Sequence, residues 1–432
     1  MLFTLEPLQA AEGDCLLLHW GSASNPNLAV IDGGPGRIYE DKLRPRLTEI
    51  LTRRGLNRLD IDLAVVSHID LDHIVGIKKL FSALKKEIED MVPANRRQLS
   101  VKRLWHNTFN DILGDGIDRY YRTLTASVQA SVGGEPNPSV VNDLEAALVR
   151  RHATPPAQAM VMAYDIARVL AGHGEGRTLR SDHQFLFNRN ETAALNSPFR
   201  RNNAPTLITA EMTRTPVKID GLEFTVLGPQ EVEIKALQTA FDKYIKKEGL
   251  TAQAVLAAYA DQSVNNLSSI VCIAGMGGKQ ILLAGDARGD KILEGLRRTG
   301  HLVGNAPLHF DILKVPHHGS DNNVDADFFK TIIADTYVFS GDGKHGNPER
   351  TTLDWLVKAR GKNAKYSIAL TYSITEIDAG RKLDRKKKKK PWSSARDSLK
   401  AFFDDAKQNG YQFTLQEGAP IQIDLGDEKV GY

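Results

Sequence analysis

The chain has 432 residues, 41% hydrophobic and 25% charged with a net charge of +3, the profile of a soluble globular protein with room for one elaborated domain or two. No apolar stretch approaches the roughly 18 to 20 residues of a membrane span, and the opening "MLFTLEPLQAAEGDCLLLHWG" alternates with polar residues instead of forming a signal block, so a cytoplasmic protein is expected. Cys15 and Cys272 are the only cysteines and both sit in apolar runs, which excludes a disulfide framework and a cysteine-based zinc site.

"LFTLEPL", "CLLLHW" and "LAVID" predict three short strands separated by turn formers. A helical stretch near 41–54 leads to the strand "IDLAVVS", the cluster "SHIDLDH" at 67–73, a helix from about His73, and the strand "VKRLW". Residues 107–205 differ: amphipathic "VVNDLEAALVRR" and "AQAMVMAYDIARVLAG" lie among polar and Gly/Pro-containing segments, as in an insertion that shapes a substrate cleft. Strand signals resume at "VKIDGLEFTVLGP", followed by helical "EVEIKALQTAFDKYIKKEG" and "AQAVLAAYA". The apolar runs "LSSIVCIAG", "QILLAGD", "FDILKVP" and "TYVFSG" then alternate with helices near 288–299, 326–333 and 350–360. The chain therefore divides at 1–106, 107–205, 206–375 and 376–432.

The segment "RKLDRKKKKK" (381–390) carries +7 and leaves −4 for the rest of the chain. Two readings weigh equally, a solvated mobile loop and a flexible strap in which Lys386, Lys387 and Lys388 bind phosphates. Beyond it, "SSARDSLKAFFDDAKQNG" predicts a serine-capped last helix.

His68, Asp70, Asp72 and His73 crowd the end of a strand. In an extended or tightly turning segment alternate residues share a face, so His68, Asp70 and Asp72 converge while His73 turns toward a second ion. Asp286 ends the run "LLAGDA", and His317 and His318 end "LKVPHHGSDNN". One such signal could be a helix cap or a core histidine. Three in order point to a metal centre at a sheet edge.

On "AEGDCLLLHW" with "VIDGG", "SHIDLDH", "NNLSSIV" with "LLAGDA", "KVPHHGS" and "FSGDGKHGNP", the chain resembles the metallo-β-lactamase-fold hydrolases, within them the nuclease domain of ComEC-type competence proteins. The resemblance covers residues 1–105 and 206–375. It implies an α/β fold, a four-layer αββα sandwich with a helical insertion, and two divalent metal ions. Asp70 stands where the commonest motif, HxHxDH, has its second histidine, and Asn265 where many members have another. Harder oxygen ligands move the expected ions toward manganese or magnesium, with zinc still admitted. The resemblance implies His68 and Asp70 at that harder site, Asp72, His73 and His318 at the other, and Asp286 bridging. Asn265 is a weaker ligand candidate acting through water. Asp72, His317 and His345 are the catalytic candidates; the two adjacent histidines can exchange roles, and His345 is either a proton donor or a surface residue. His106 either approaches the metals or caps its strand. Ser320 and Asn322 of "HHGSDNN" are candidate phosphate contacts, whereas "GGPG" at 33–36 is read as a tight turn.

Water activated between two ions suits phosphodiesters, lactones, thioesters and amides alike. The first expectation is a nuclease or phosphodiesterase cleaving DNA, with RNA as the other polymer, no membrane partner, and a place in genome defence or nucleic-acid turnover under a regulatory protein partner. The alternatives are a hydrolase of a small ester, lactone or cyclic nucleotide, and a non-catalytic metal-binding scaffold.

Overall fold

Successive side chains of a strand point to opposite faces, and here the two faces feed different cores. The computed structural model describes residues 1–107, 131–132, 135–152, 155–201, 204–213, 215–236, 239 and 268–432. Strands β1 (Leu2–Pro7), β2 (Leu16–Ser22), β3 (Asn25–Ile31), β4 (Leu63–Val66) and β5 (Leu104–His106) lie side by side in chain order. A second sheet of eight strands is also in chain order: β6 (Val217–Ile219), β7 (Leu222–Gly228), β8 (Val271–Met276), β9 (Lys279–Leu283), β10 (Leu308–Lys314), β11 (Ile332–Phe339), β12 (Ser367–Leu370) and β13 (Thr414–Glu417). The last strand, β14 (Ile423–Asp424), returns to pair with β1 and makes the first sheet six-stranded. Pairing is antiparallel from β1 to β3 and from β6 to β9, then parallel in both sheets.

Helices cover the two outer faces. On the first sheet lie α1 (Arg44–Arg53), α2 (Leu71–Glu89) and, beyond α3 (Pro138–His152), the 32-residue α4 (Pro156–Phe187). On the second lie α5 (Gly289–Arg298), α6 (Ala326–Thr331), α7 (Arg350–Arg360) and α9 (Leu399–Gln408), with α8 (Ile374–Lys387) preceding α9 in the chain. Leu16, Leu18 and Trp20 of β2 meet Ile281 and Leu283 of β9 in the core between the sheets. The intervening Leu17 packs outward with Ile74 and Phe81 of α2, and Leu282 outward with Ile292 of α5. Three cores separate four layers, α/β/β/α. Each fully buried Leu, Ile or Phe contributes on the order of 1.5–3 kcal/mol.

Part of the 107–205 segment enters this packing. Ala171, Leu179 and Leu186 of α4 share a core with α2, so α4 is built into the outer layer. The segments "AQAVLAAYA" and most of "EVEIKALQTAFDKYIKKEG" lie outside the described residues, as does Asn265.

The basic run departs from both expectations made for it. Ser373 and Glu376 form a capping box that starts α8, and the helix continues through Lys387. Arg381 is buried and donates to the carbonyl oxygens of Gly346 and Pro348. Residues 381–387 are thus neither a mobile loop nor a flexible strap; the buried guanidinium ties the helix to the loop that carries His345. Lys386, Lys387, Lys389 and Lys390 are exposed, while Lys388 pairs with Asp384 at 2.9 Å. The predicted last helix is α9, capped by Ser398. Both cysteines are buried and unpaired.

Candidate metal centre

The parallel strands end at one rim, the place where sheet folds of this kind expose side chains without disturbing the core. β4 delivers Ser67 and His68, β9 delivers Asp286, β10 delivers His317 and His318, and β11 delivers Ser340. α2 begins at Leu71, two residues earlier than the sequence suggested, so Asp72 and His73 sit in its first turn. The alternation argument for "SHIDLDH" fails for this reason: helix geometry, not strand geometry, directs Asp72 and His73 to one side, with His68 and Asp70 on the other.

Two donor groups result, divided by one carboxylate. Oδ1 of Asp286 lies 3.3 Å from His73 Nε2 and 3.5 Å from His318 Nε2, and Asp72 Oδ2 lies 3.8 Å and 3.6 Å from the same two nitrogens. Ligands about 2.0–2.2 Å from a tetrahedral ion stand about 3.3–3.6 Å apart, which these separations approach. Oδ2 of Asp286 faces the other group, 3.6 Å from His317 Nε2 and 3.9 Å from His68 Nε2, which is 3.5 Å from Asp70 Oδ2.

The hydrogen bonds behind the imidazoles fix which nitrogen faces inward. His73 Nδ1 donates to Asp32 Oδ2 at 2.8 Å and His317 Nδ1 to Asn323 Oδ1 at 2.6 Å. Ser67 Oγ donates to Asp32 Oδ2 and Ser340 Oγ to Asp14, which leaves these hydroxyls to accept from His68 Nδ1 at 3.1 Å and His318 Nδ1 at 2.8 Å. All four rings are thereby oriented with Nε2 toward the centre. Nε2 of His68, His73 and His318 and Oδ1 of Asp286 are buried without a hydrogen-bond partner. Buried polar atoms are otherwise satisfied almost everywhere in proteins, so three orphans converging on one side of Asp286, with that of His68 on the other, fit divalent cations.

Electrostatics points the same way. Burial alone would raise the Asp286 carboxyl, but His318, His73 and His317 hold it well below its usual range. Burial would lower His73 and His318; Asp286 with Asp32 and Asp72, and Asp286 with Asp14, instead raise them. The imidazoles take up protons where carboxylates crowd, and a metal ion binding there releases them.

Asp14, His73, Asp286 and His318 also offer donor atoms within 4.8 Å of one another. Asp14 nevertheless belongs to the supporting ring. It approaches the Nδ1 sides of His318 and His73, at 3.3 and 3.9 Å, and its charge is answered by the buried ammonium of Lys314. Asp14, Asp32, Ser67, Lys314, Asn323 and Ser340 were not singled out from the sequence. Most lie in the motifs already quoted, and a lysine inside the apolar run "FDILKVP" was a readable sign of a buried partner. We expect Asp32→Asn to preserve the fold and weaken metal affinity about 10- to 100-fold, measured by competition with a chelating dye, because the carboxylate accepts from His73 and Ser67 Oγ on Oδ2 and from Ser67 N on Oδ1, and an amide loses the charge behind His73 and puts an NH2 against one of these donors.

The backbone at "HHG" is strained. His317 (φ 48°, ψ 47°) and His318 (φ 54°, ψ 17°) are both left-handed, at about 1–2 kcal/mol each. Two adjacent non-glycine residues in that region aim one imidazole at each oxygen of Asp286.

The remaining candidates are spread out. Ser320 is buried with its hydroxyl accepting from Asn322 N, and Asn322 is exposed. His345 is 44% exposed, 3.8 Å from Glu12. His106 is buried with its ring 3.6 Å from the place a Cβ on Gly176 would occupy, and burial pushes it down to about 3. "GGPG" is a turn: Gly34 and Gly36 have positive φ, and a Cβ on Gly76 would come within 2.0 Å of Gly33 O. α4 supplies a residue without any sequence signal, Arg168, whose Nη2 donates to Asp72 Oδ1 at 3.1 Å.

Residues 24–89 match the metallo-beta-lactamase superfamily. Microtubule-associated protein 1A of Homo sapiens is 36% identical over 76 residues, 17% of this chain and 3% of that protein, and the Rattus norvegicus protein is 35% identical over 75 residues, 16% and 3%. The chain thus spans only a small part of these curated relatives. Among solved structures, a beta-lactamase domain protein from Burkholderia ambifaria aligns with 80% of this chain and 65% of its own at 12% identity and a TM-score of 0.25. No helix among the described residues is long and apolar enough to cross a membrane. The matched stretch, residues 24–89, is similar to part of the metallo-beta-lactamase superfamily and carries the rim residues His68, Asp70, Asp72 and His73 of a mixed α/β fold with a buried His/Asp cluster.

Proposed function

We propose that the protein is a phosphodiesterase that cleaves nucleic acid, DNA before RNA, with two divalent ions. The observation that carries this reading is Asp286, whose two oxygens face two separate donor groups. Asp72, His73 and His318 would hold one ion, His68, Asp70 and His317 the other. Two such ions supply a water of lowered pKa and stabilise negative charge developing on phosphate. Asp70 in place of an imidazole favours manganese or magnesium at its site, with zinc admitted.

The chain's own groups do the rest. Asp32, Ser67, Asn323 and Ser340 keep the imidazoles in one tautomer. His345, held near Glu12 on the loop to which Arg381 ties α8, is the candidate proton donor to the leaving oxygen. Lys386, Lys387, Lys389 and Lys390 offer a polyanion a cluster of exposed charge. Changing these four to alanine is expected to weaken DNA binding and flatten its salt dependence by up to about 0.9 in log–log slope per lost phosphate contact, read by fluorescence anisotropy across salt. An unchanged slope would remove the lysines from the interface.

The reading is tested by time-resolved cleavage of supercoiled, linear and single-stranded DNA, and of RNA, with manganese, zinc or magnesium, with Asp72→Ala in parallel. Cleavage lost in the variant supports it. Silence on all four polymers, with turnover of a small ester, lactone or cyclic nucleotide, would transfer the centre to small-molecule hydrolysis.

A further inference from the structure

We propose that Arg168 recognises the negatively charged group of the substrate, gripping non-bridging phosphate oxygens beside the metal centre; the inference rests on the phosphodiesterase reading above. A guanidinium suits this task because its fork of N–H donors matches the oxygens of a phosphate or carboxylate.

Three observations carry it. The first is how closely α4 is held. A Cβ on Gly172 would come within 2.4 Å of Ile69 O, so the helix backbone rests directly on the loop between His68 and Asp70. Arg168 lies one turn before Gly172, on the same helix face. Any larger residue at 172 would lift Arg168 away from the centre.

The second is which atom Arg168 takes. It binds Oδ1 of Asp72, while Oδ2 faces His73 and His318. Arg168 can therefore remain beside the centre without occupying an oxygen assigned to an ion. That bond is its one hydrogen bond to a protein group among the described residues, and its side chain is 28% exposed. The other N–H groups of the guanidinium have no hydrogen bond to a described residue.

The third is charge. Arg168 pairs with Asp72 at 3.1 Å, and the charges of Asp72, Asp70 and Glu12 favour a guanidinium there. Asp70, Asp72 and Asp286 together carry −3, and two divalent ions bring +4. Two divalent ions would offset the charge of these three ligand carboxylates, and the guanidinium would add a positive charge beside them. The simpler reading makes Arg168 a clip that holds α4 on Asp72. A clip would leave affinity for an anion untouched once the metals are in place.

The experiment uses the full chain loaded with manganese, as wild type, Arg168→Gln and Arg168→Lys. Three quantities are read: bound manganese per chain, affinity for inorganic phosphate by calorimetry, and kcat and KM for bis(p-nitrophenyl) phosphate. We expect Arg168→Gln to keep its manganese, lose phosphate affinity about 10- to 100-fold and raise KM to match, as befits a lost charged hydrogen bond. Arg168→Lys should recover part of both. Phosphate affinity within twofold of wild type in Arg168→Gln would overturn the proposal, as would loss of manganese in both variants, which marks a clip for Asp72. If the wild type hydrolyses no phosphodiester, the functional reading fails separately, since calorimetry still reports whether Arg168 binds phosphate.

Discussion

Asp286→Ala is expected to bring hydrolysis to background and to empty both metal positions. Among the described residues no other faces both donor groups: its Oδ1 lies among His73, His318 and Asp72, its Oδ2 beside His317 and His68. Removing it leaves four imidazoles converging on a space with one central anion fewer, and like-charged or merely polar neighbours do not retain a divalent ion. Asp286→Asn is the sharper variant, because it preserves shape and removes only the charge. It should keep the fold by circular dichroism while metal per chain, read by mass spectrometry after desalting, falls with activity. Chelation of the wild type should reproduce the loss, and added manganese should restore the wild type alone.

Lys314→Met should produce the largest loss of stability, about 3–5 kcal/mol by urea unfolding of the chelated protein. The ammonium and the Asp14 carboxylate it faces are 1% and 2% exposed, so each charge is tolerated because the other is there. Burial would raise the Asp14 carboxyl; Lys314, His318 and His73 hold it below the ordinary carboxylate range. Methionine fills the space of the lysine stem but leaves a buried anion beside Ser340 and His318. Adding Asp14→Asn should return much of the lost stability, since it removes the orphaned charge. Metal affinity should fall in the double variant, because Ser340 would then lack the anionic acceptor that orients it toward His318. A loss below about 1 kcal/mol in the single variant would show that water or another group neutralises Asp14.

The layers were legible because alternation in "CLLLHW" and "QILLAGD" is the direct imprint of two cores. Leu16 and Leu18 enter one and Leu17 the other. His68, Asp70, Asp72, His73, Asp286, His317 and His318 were legible as strand-end polar residues in apolar surroundings. Their division between two donor groups was not readable from spacing, because it depends on α2 starting at Leu71 and on left-handed backbone at His317 and His318. The basic run misled for a related reason. Composition marks "RKLDRKKKKK" as solvated, yet residues one helical face apart have separate fates, with Arg381 and Asp384 buried and Lys386 and Lys387 outside. Arg168 had no sequence signal at all, since its role comes from where α4 crosses α2.

Anomalous diffraction from crystals of the wild type grown with manganese would show whether Asp286 divides two cation positions. Two peaks are expected, one on each side of Asp286, the first among Asp72, His73 and His318 and the second beside His68, Asp70 and His317. A single peak on the Asp14 side of His318, or no peak at the rim in a protein that still hydrolyses phosphodiesters, would contradict it.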